Sequence, residues 1–77
     1  MLTSVIGEKL MQFNEILRFE KSLERHGGSD TVYYLEGRKT SSRRISEEMV
    51  NNRFDYMLDF IMDESGKASE IRCDKLT

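Results

Sequence analysis

Between residues 54 and 74 the chain places apolar side chains at every second position, on either side of a glycine-containing turn. Phe54, Tyr56, Leu58, Phe60 and Met62 take one face of the first run, with Asp55 and Asp59 facing away. A period of two belongs to a strand with one buried face. Read as a helix continued from Ile45, the same residues scatter around the axis, so the strand is the better description. Asp63-Glu64-Ser65-Gly66-Lys67 then supplies a hairpin loop with glycine where positive φ is needed. Ala68 to Asp74 resumes the alternation, with Ile71 and Cys73 on one face. A chain carrying this hairpin must find something apolar to lay against its inner face.

The N-terminal segment has a different period. From about Ser4 to Arg25, Leu2, Val5, Ile6, Leu10, Phe13, Ile16, Leu17 and Leu23 fall in a stripe roughly 140° wide, as on an amphipathic helix. Thr3 or Ser4 is the expected N-cap. Gly27 and Gly28 follow His26, and glycine past the last turn is the usual helix stop. Met11 and Phe19 lie off the stripe.

Two further strands and a short helix fill the middle. Thr31-Val32-Tyr33-Tyr34-Leu35 is dense in β-branched and aromatic residues. Glu36-Gly37 makes the turn, and Arg38 to Ile45 returns as a second strand, partly as a loop through Thr40-Ser41-Ser42. Ser46-Glu47-Glu48 reads as a capped helix start, and that helix ends near Asn51-Asn52. The expected fold is α+β over residues 1–77 as one domain. An N-terminal amphipathic helix packs on a small, mainly antiparallel four-stranded sheet, with a short intervening helix. Meander pairing is the simplest strand order.

At 77 residues the core is thin, burying roughly 60–65% of the unfolded surface. Such domains often gain stability from a partner or a second copy. No stretch approaches a membrane span and no export leader is visible, so the expected location is cytoplasmic. Cys73 is the one cysteine, read as a half-buried apolar residue in a reducing compartment.

Catalytic signatures are missing: no phosphate loop, no paired cysteines, no zinc-protease helix and no calcium loop. One histidine and one cysteine do not make a zinc site. His26 reads as an exposed helix C-terminal residue whose cation the helix dipole favours. Asp55 and Asp59 lie roughly 13 Å apart along a strand, too far for paired-carboxylate hydrolysis. The expectation is a non-enzymatic protein without cofactor or metal.

Charge is more informative. The net charge is −2, which does not fit a dedicated nucleic-acid coat. Arg38, Lys39, Arg43 and Arg44 nonetheless cluster after Tyr33 and Tyr34. From Glu47 to Glu64 the local charge is −5, from six acids and Arg53. Met57 and Ile61 point away from Tyr56 and Leu58, so the sheet carries apolar groups on both faces. Apolar surface of this kind tends to mark an interface, and a homodimer is the preferred explanation. The candidate partner-binding residues are Arg38, Lys39, Arg43 and Arg44 for charge and Tyr33, Tyr34, Met57 and Ile61 for apolar contact.

The run Val32-Tyr33-Tyr34-Leu35-Glu36-Gly37-Arg38, followed by Ile45-Ser46-Glu47-Glu48, resembles a strand–turn–strand–capped-helix module recurrent in small phage-encoded accessory proteins. The resemblance implies a protein that binds and redirects or inhibits a host protein, with no functional residues to carry over. The expected function is therefore a protein-binding accessory or inhibitor module. The alternative is a small nucleic-acid-binding regulator using the basic hairpin.

Overall fold

The computed structural model describes residues 2–52 and 55–76, with side chains from residue 12 onward. Phe54 and the side chains of Leu2, Val5, Ile6, Leu10 and Met11 lie outside the described set. In chain order the elements are α1 (Leu2–His26), β1 (Gly27–Leu35), β2 (Arg38–Thr40), α2 (Ser42–Asn51), β3 (Tyr56–Met62) and β4 (Ala68–Lys75). The fold is α+β, and residues 56–62 form a strand as their alternation requires.

The strand order is β2-β1-β4-β3, so the meander is wrong. Both hairpins form, β1 with β2 and β3 with β4, each antiparallel. They are joined through β1 and β4, which run parallel in the centre of the sheet. Parallel neighbours need a long crossover, and β2, α2 and β3 together supply it. Burial explains the choice. Ile71 and Cys73 on β4 are fully buried, while β2 carries exposed Arg38 and Lys39, which suit an edge.

Both helices lie on one face of the sheet. Leu23 of α1 and Ile45 of α2 meet Ala68, Ile71 and Cys73 in the core. Phe19, Tyr33, Leu35, Met49, Tyr56, Leu58 and Phe60 pack around them. Burying one side chain of the size of Ile71 contributes about 2–3 kcal/mol, so each member of so small a core matters. Phe19 belongs to this core and does not stand apart from it. The inward line on α1 runs Ile16, Phe19, Leu23, spaced three and four, with Leu23 buried and the other two half-buried, and Phe13 near the centre of the stripe is half exposed. That line is rotated from the centre of the sequence stripe because α1 must share the sheet with α2.

The expected start of α2 at Ser46 is wrong by a full turn. Ser41 is the N-cap, with φ −110° and ψ 161°, and its hydroxyl accepts from the Arg44 N–H at 3.2 Å. Ser46 is instead fully buried inside the helix, donating to the Ser42 carbonyl at 2.7 Å. The earlier start seats Ile45 and Met49, an i,i+4 pair, against the sheet. The second strand correspondingly stops at Thr40 and does not continue to Ile45.

The glycine pair after α1 also has another cause. Neither Gly27 nor Gly28 has positive φ, and β1 starts directly at Gly27. A Cβ on Gly27 would stand 2.5 Å from Thr31 Oγ1 and 3.0 Å from Thr31 Cβ and Cγ2. The hydroxyl of Thr31 accepts from the Gly28 N–H at 2.6 Å and donates to the Ala68 carbonyl at 2.7 Å. Gly27 is required for close approach. Positive φ occurs at Glu36 (53°) and Gly37 (78°), the pair of a type I′ hairpin turn, and at Gly66 (87°) in the second hairpin.

Candidate functional site: the uncovered sheet face and its outer edge

Because α1 and α2 share one face, the other face of the sheet is left bare. Strand parity decides which residues occupy it. Cross-strand register aligns Lys39, Tyr34, Arg72 and Asp59 in one row, and Val32, Glu70 and Ile61 in the next. Met57 lies beside Asp74 in a third row. Met57 is 52% exposed and Ile61 39%. The Arg72 guanidinium stacks over the Tyr34 ring at 4.9 Å and contacts Glu70 Oε2 through Nε and Nη2 at 3.2 Å. Stacking and ion pairing hold this long side chain flat on the sheet.

Of the eight expected partner-binding residues, Tyr34, Lys39, Met57 and Ile61 come together here. The other four do not. Tyr33 points to the helix layer, since neighbours on a strand face opposite ways. Burial, then the nearby charges of Glu24 and Glu20, raise its pKa. Arg38 lies exposed at the hairpin end. Arg43 and Arg44 sit on α2 and not on the hairpin. Arg43 donates from Nε and Nη2 to the two carboxylate oxygens of Glu20 on α1, each at 3.1 Å, and lies 6.0 Å from the Phe13 ring. Arg44 meets Glu48 at 2.6 Å. Burial raises the pKa of Glu48, but hydrogen bonds from Arg44, Asn52 and Tyr56 and the Arg44 charge outweigh it and hold the carboxyl below its usual range. Two of the four clustered cations are thus neutralised inside the fold.

Arg72 and Glu70 were not foreseen, although the alternation that buries Ile71 and Cys73 places both on the opposite face. Charges on the bare face balance closely, with Lys39 and Arg72 against Asp59, Glu70 and Asp74. That mixture disfavours a phosphate backbone as the occupant.

The bare face ends at β3, whose outer side has no strand neighbour among the described residues. The Leu76 N–H donates to the Asp55 carbonyl at 2.7 Å, so Asp55 turns its backbone toward β4. Alternation then turns Met57, Asp59 and Ile61 the same way and leaves the N–H and C=O groups of Tyr56, Leu58 and Phe60 pointing outward.

Burial, reinforced by Asp74, Glu48 and Glu36, pushes the Cys73 thiol up to about 11, away from the thiolate form that reacts. His26 is exposed at the end of α1, where its Nδ1 donates to the Ser22 carbonyl at 2.8 Å and its ring stands 5.3 Å from that of Phe60. Among the described residues no group of three or more His, Cys, Asp or Glu side chains could hold a metal ion. No described helix is long and apolar enough to cross a membrane. A cleft of about 270 Å³ between α1 and α2 is lined by Glu15, Arg18, Phe19, Met49 and Val50. Compared with known proteins, the chain matches no family model, no curated protein and no solved structure.

Proposed function

We propose that this chain is a non-enzymatic binding module of the cytoplasm whose bare sheet face receives another protein, in the manner of an accessory or inhibitor. The observation that carries the reading is the pair Met57 and Ile61, both on the face that neither helix covers. Apolar side chains left in the open gain from leaving water when a partner covers them, and exposed apolar surface of this kind marks interaction sites. Tyr34 with its stacked Arg72 adds an aromatic and a planar cation, the types that dominate binding energy at protein interfaces. The near balance of charge on the face, and the pairing of Arg43 and Arg44 within the fold, support protein over nucleic acid.

The test is affinity purification of the tagged chain from its native host after nuclease treatment, with the double variant Met57→Ser/Ile61→Ser beside it. The expected result is one stoichiometric protein that survives nuclease and is lost with the variant. Recovery of nucleic acid alone, or a partner indifferent to both substitutions, refutes the reading. Self-association through the same face is read from the purified chain by sedimentation, where a homodimer has twice the 9.0 kDa mass and the variant returns to the monomer.

A further inference from the structure

We propose that the outer edge of β3 accepts an extended segment of the partner protein as a fifth strand, and that this segment carries a cation flanked two residues away on each side by apolar residues. The inference rests on the reading that the partner is a protein, and names the chemistry that recognises it.

Three observations meet at this edge. First, the two ends of the sheet differ. β2 is three residues long and carries Arg38 and Lys39, whereas β3 runs seven residues with Asp59 its only charge. A seven-residue edge spans about 24 Å and offers outward backbone groups from Tyr56, Leu58 and Phe60. Second, Asp59 is opposite Arg72 in register yet its carboxylate has no hydrogen bond or ion pair among the described residues, because Arg72 is drawn to Glu70 and Tyr34. Its exposed carboxylate sits between Met57 and Ile61 on the same face. Third, residues 55–64 hold Asp55, Asp59, Asp63 and Glu64 and no cation, so the whole edge is framed in negative charge.

Charge selects the occupant. A second copy paired antiparallel about Asp59 sets Met57 against Ile61 and Leu58 against Phe60, a good apolar match. It also sets Asp59 against Asp59, and Asp55 against Asp63 twice. Like charges directly opposite are destabilising, so the self-match is opposed at every charged pair. A strand with a basic residue opposite Asp59 keeps the apolar match and reverses the sign of each charged pair. Main-chain hydrogen bonds to Leu58 and Phe60 supply affinity, and alternate side chains supply specificity.

The probe is the synthetic peptide Lys-Thr-Val-Thr-Arg-Thr-Val-Thr-Lys, added to the isotope-labelled chain and followed by amide chemical shifts and hydrogen exchange. Saturable binding is expected, with new exchange protection at Leu58 and Phe60. Changing the central arginine of the peptide to glutamate weakens binding at least about tenfold, and Asp59→Lys inverts that preference. Methylating the peptide nitrogen of the fourth or sixth residue, which face the edge, abolishes binding. Methylating the fifth, which faces away, changes it less than about threefold. Binding that ignores the methylation pattern or the charge inversion overturns the proposal. So does a chain whose β3 amides are already protected in a dimer. If the peptide does not bind but Met57→Ser/Ile61→Ser still loses the cellular partner, strand addition fails and the bare-face reading stands.

Discussion

Replacing Gly27 with alanine tests the close approach that ties α1 to the sheet. The added Cβ would lie 2.5 Å from Thr31 Oγ1, where ordinary contact starts near 3.4 Å, so about 0.9 Å must be recovered. The Gly27 backbone needs no left-handed conformation, so the cost is steric. Thr31 is β-branched and cannot yield by a small rotation. Swinging its hydroxyl away breaks the bond from the Gly28 N–H and the bond to the carbonyl of buried Ala68. An unpaired buried carbonyl costs about 1–3 kcal/mol, and overpacking costs a similar amount. We expect Gly27→Ala to destabilise by about 2–4 kcal/mol, lowering Tm by roughly 10–25 °C in a domain of this size. Urea unfolding of Gly27→Ala, Thr31→Ala and the double variant separates the causes. Thr31→Ala alone is expected to cost about 1–2 kcal/mol, and in that background the Gly27 substitution costs less than it does beside threonine, since Oγ1 and Cγ2 are gone and only the Cβ contact at 3.0 Å remains. Additive costs in the double variant would refute the steric argument.

Three further outcomes follow from the same geometry. Gly37→Ala, at φ 78°, is expected to cost about 1–2 kcal/mol in thermal unfolding, whereas Glu36→Asn, at φ 53°, is expected to stabilise, because asparagine tolerates the left-handed region better than glutamate. The Cys73 thiol has a folded-state pKa near 11, above its ordinary value of 9.0, so its contribution to stability is complete below pH 9 and falls as pH rises toward 11, by roughly 1–3 kcal/mol. Tyr33 and Tyr56 are shifted upward as well and steepen the fall above pH 10, so the Cys73 share is the slope lost in Cys73→Ala, read by urea unfolding at each pH. Ser46→Ala is expected to change stability by less than about 0.5 kcal/mol despite full burial, because the Ser42 carbonyl keeps its helical partner and alanine is the better helix former.

Much of this molecule was legible in its residues. The β3–β4 hairpin and the β1–β2 turn follow from period-two alternation and from glycines at positive φ, which are properties of a few consecutive residues. The long first helix follows equally from its 3.6-residue period. The pair Met57 and Ile61 on the bare face was readable for the same reason. Local signals failed where two alternatives were equally good over a short span. Ser41 and Ser46 both qualify as caps, and what decided between them was the seating of Ile45 and Met49 on the sheet, tens of residues away in sequence. Gly27-Gly28 reads as a helix stop, yet its purpose is room for Thr31 and its bridge to Ala68.

The strand order, the parallel pairing of β1 with β4 and the division of the basic cluster belong to the tertiary structure alone. Tyr33 and Tyr34 are adjacent in sequence and stand on opposite faces, one against the helices and one under Arg72. Arg43 and Arg44 look like part of a basic hairpin until α2 carries them to Glu20 and Glu48. Backbone preference and side-chain periodicity act within a few residues, so the elements and most of their inward faces are set locally. Only the folded chain decided which strands became neighbours and which charges were left over, because both depend on apolar surfaces and ions brought together across the whole chain.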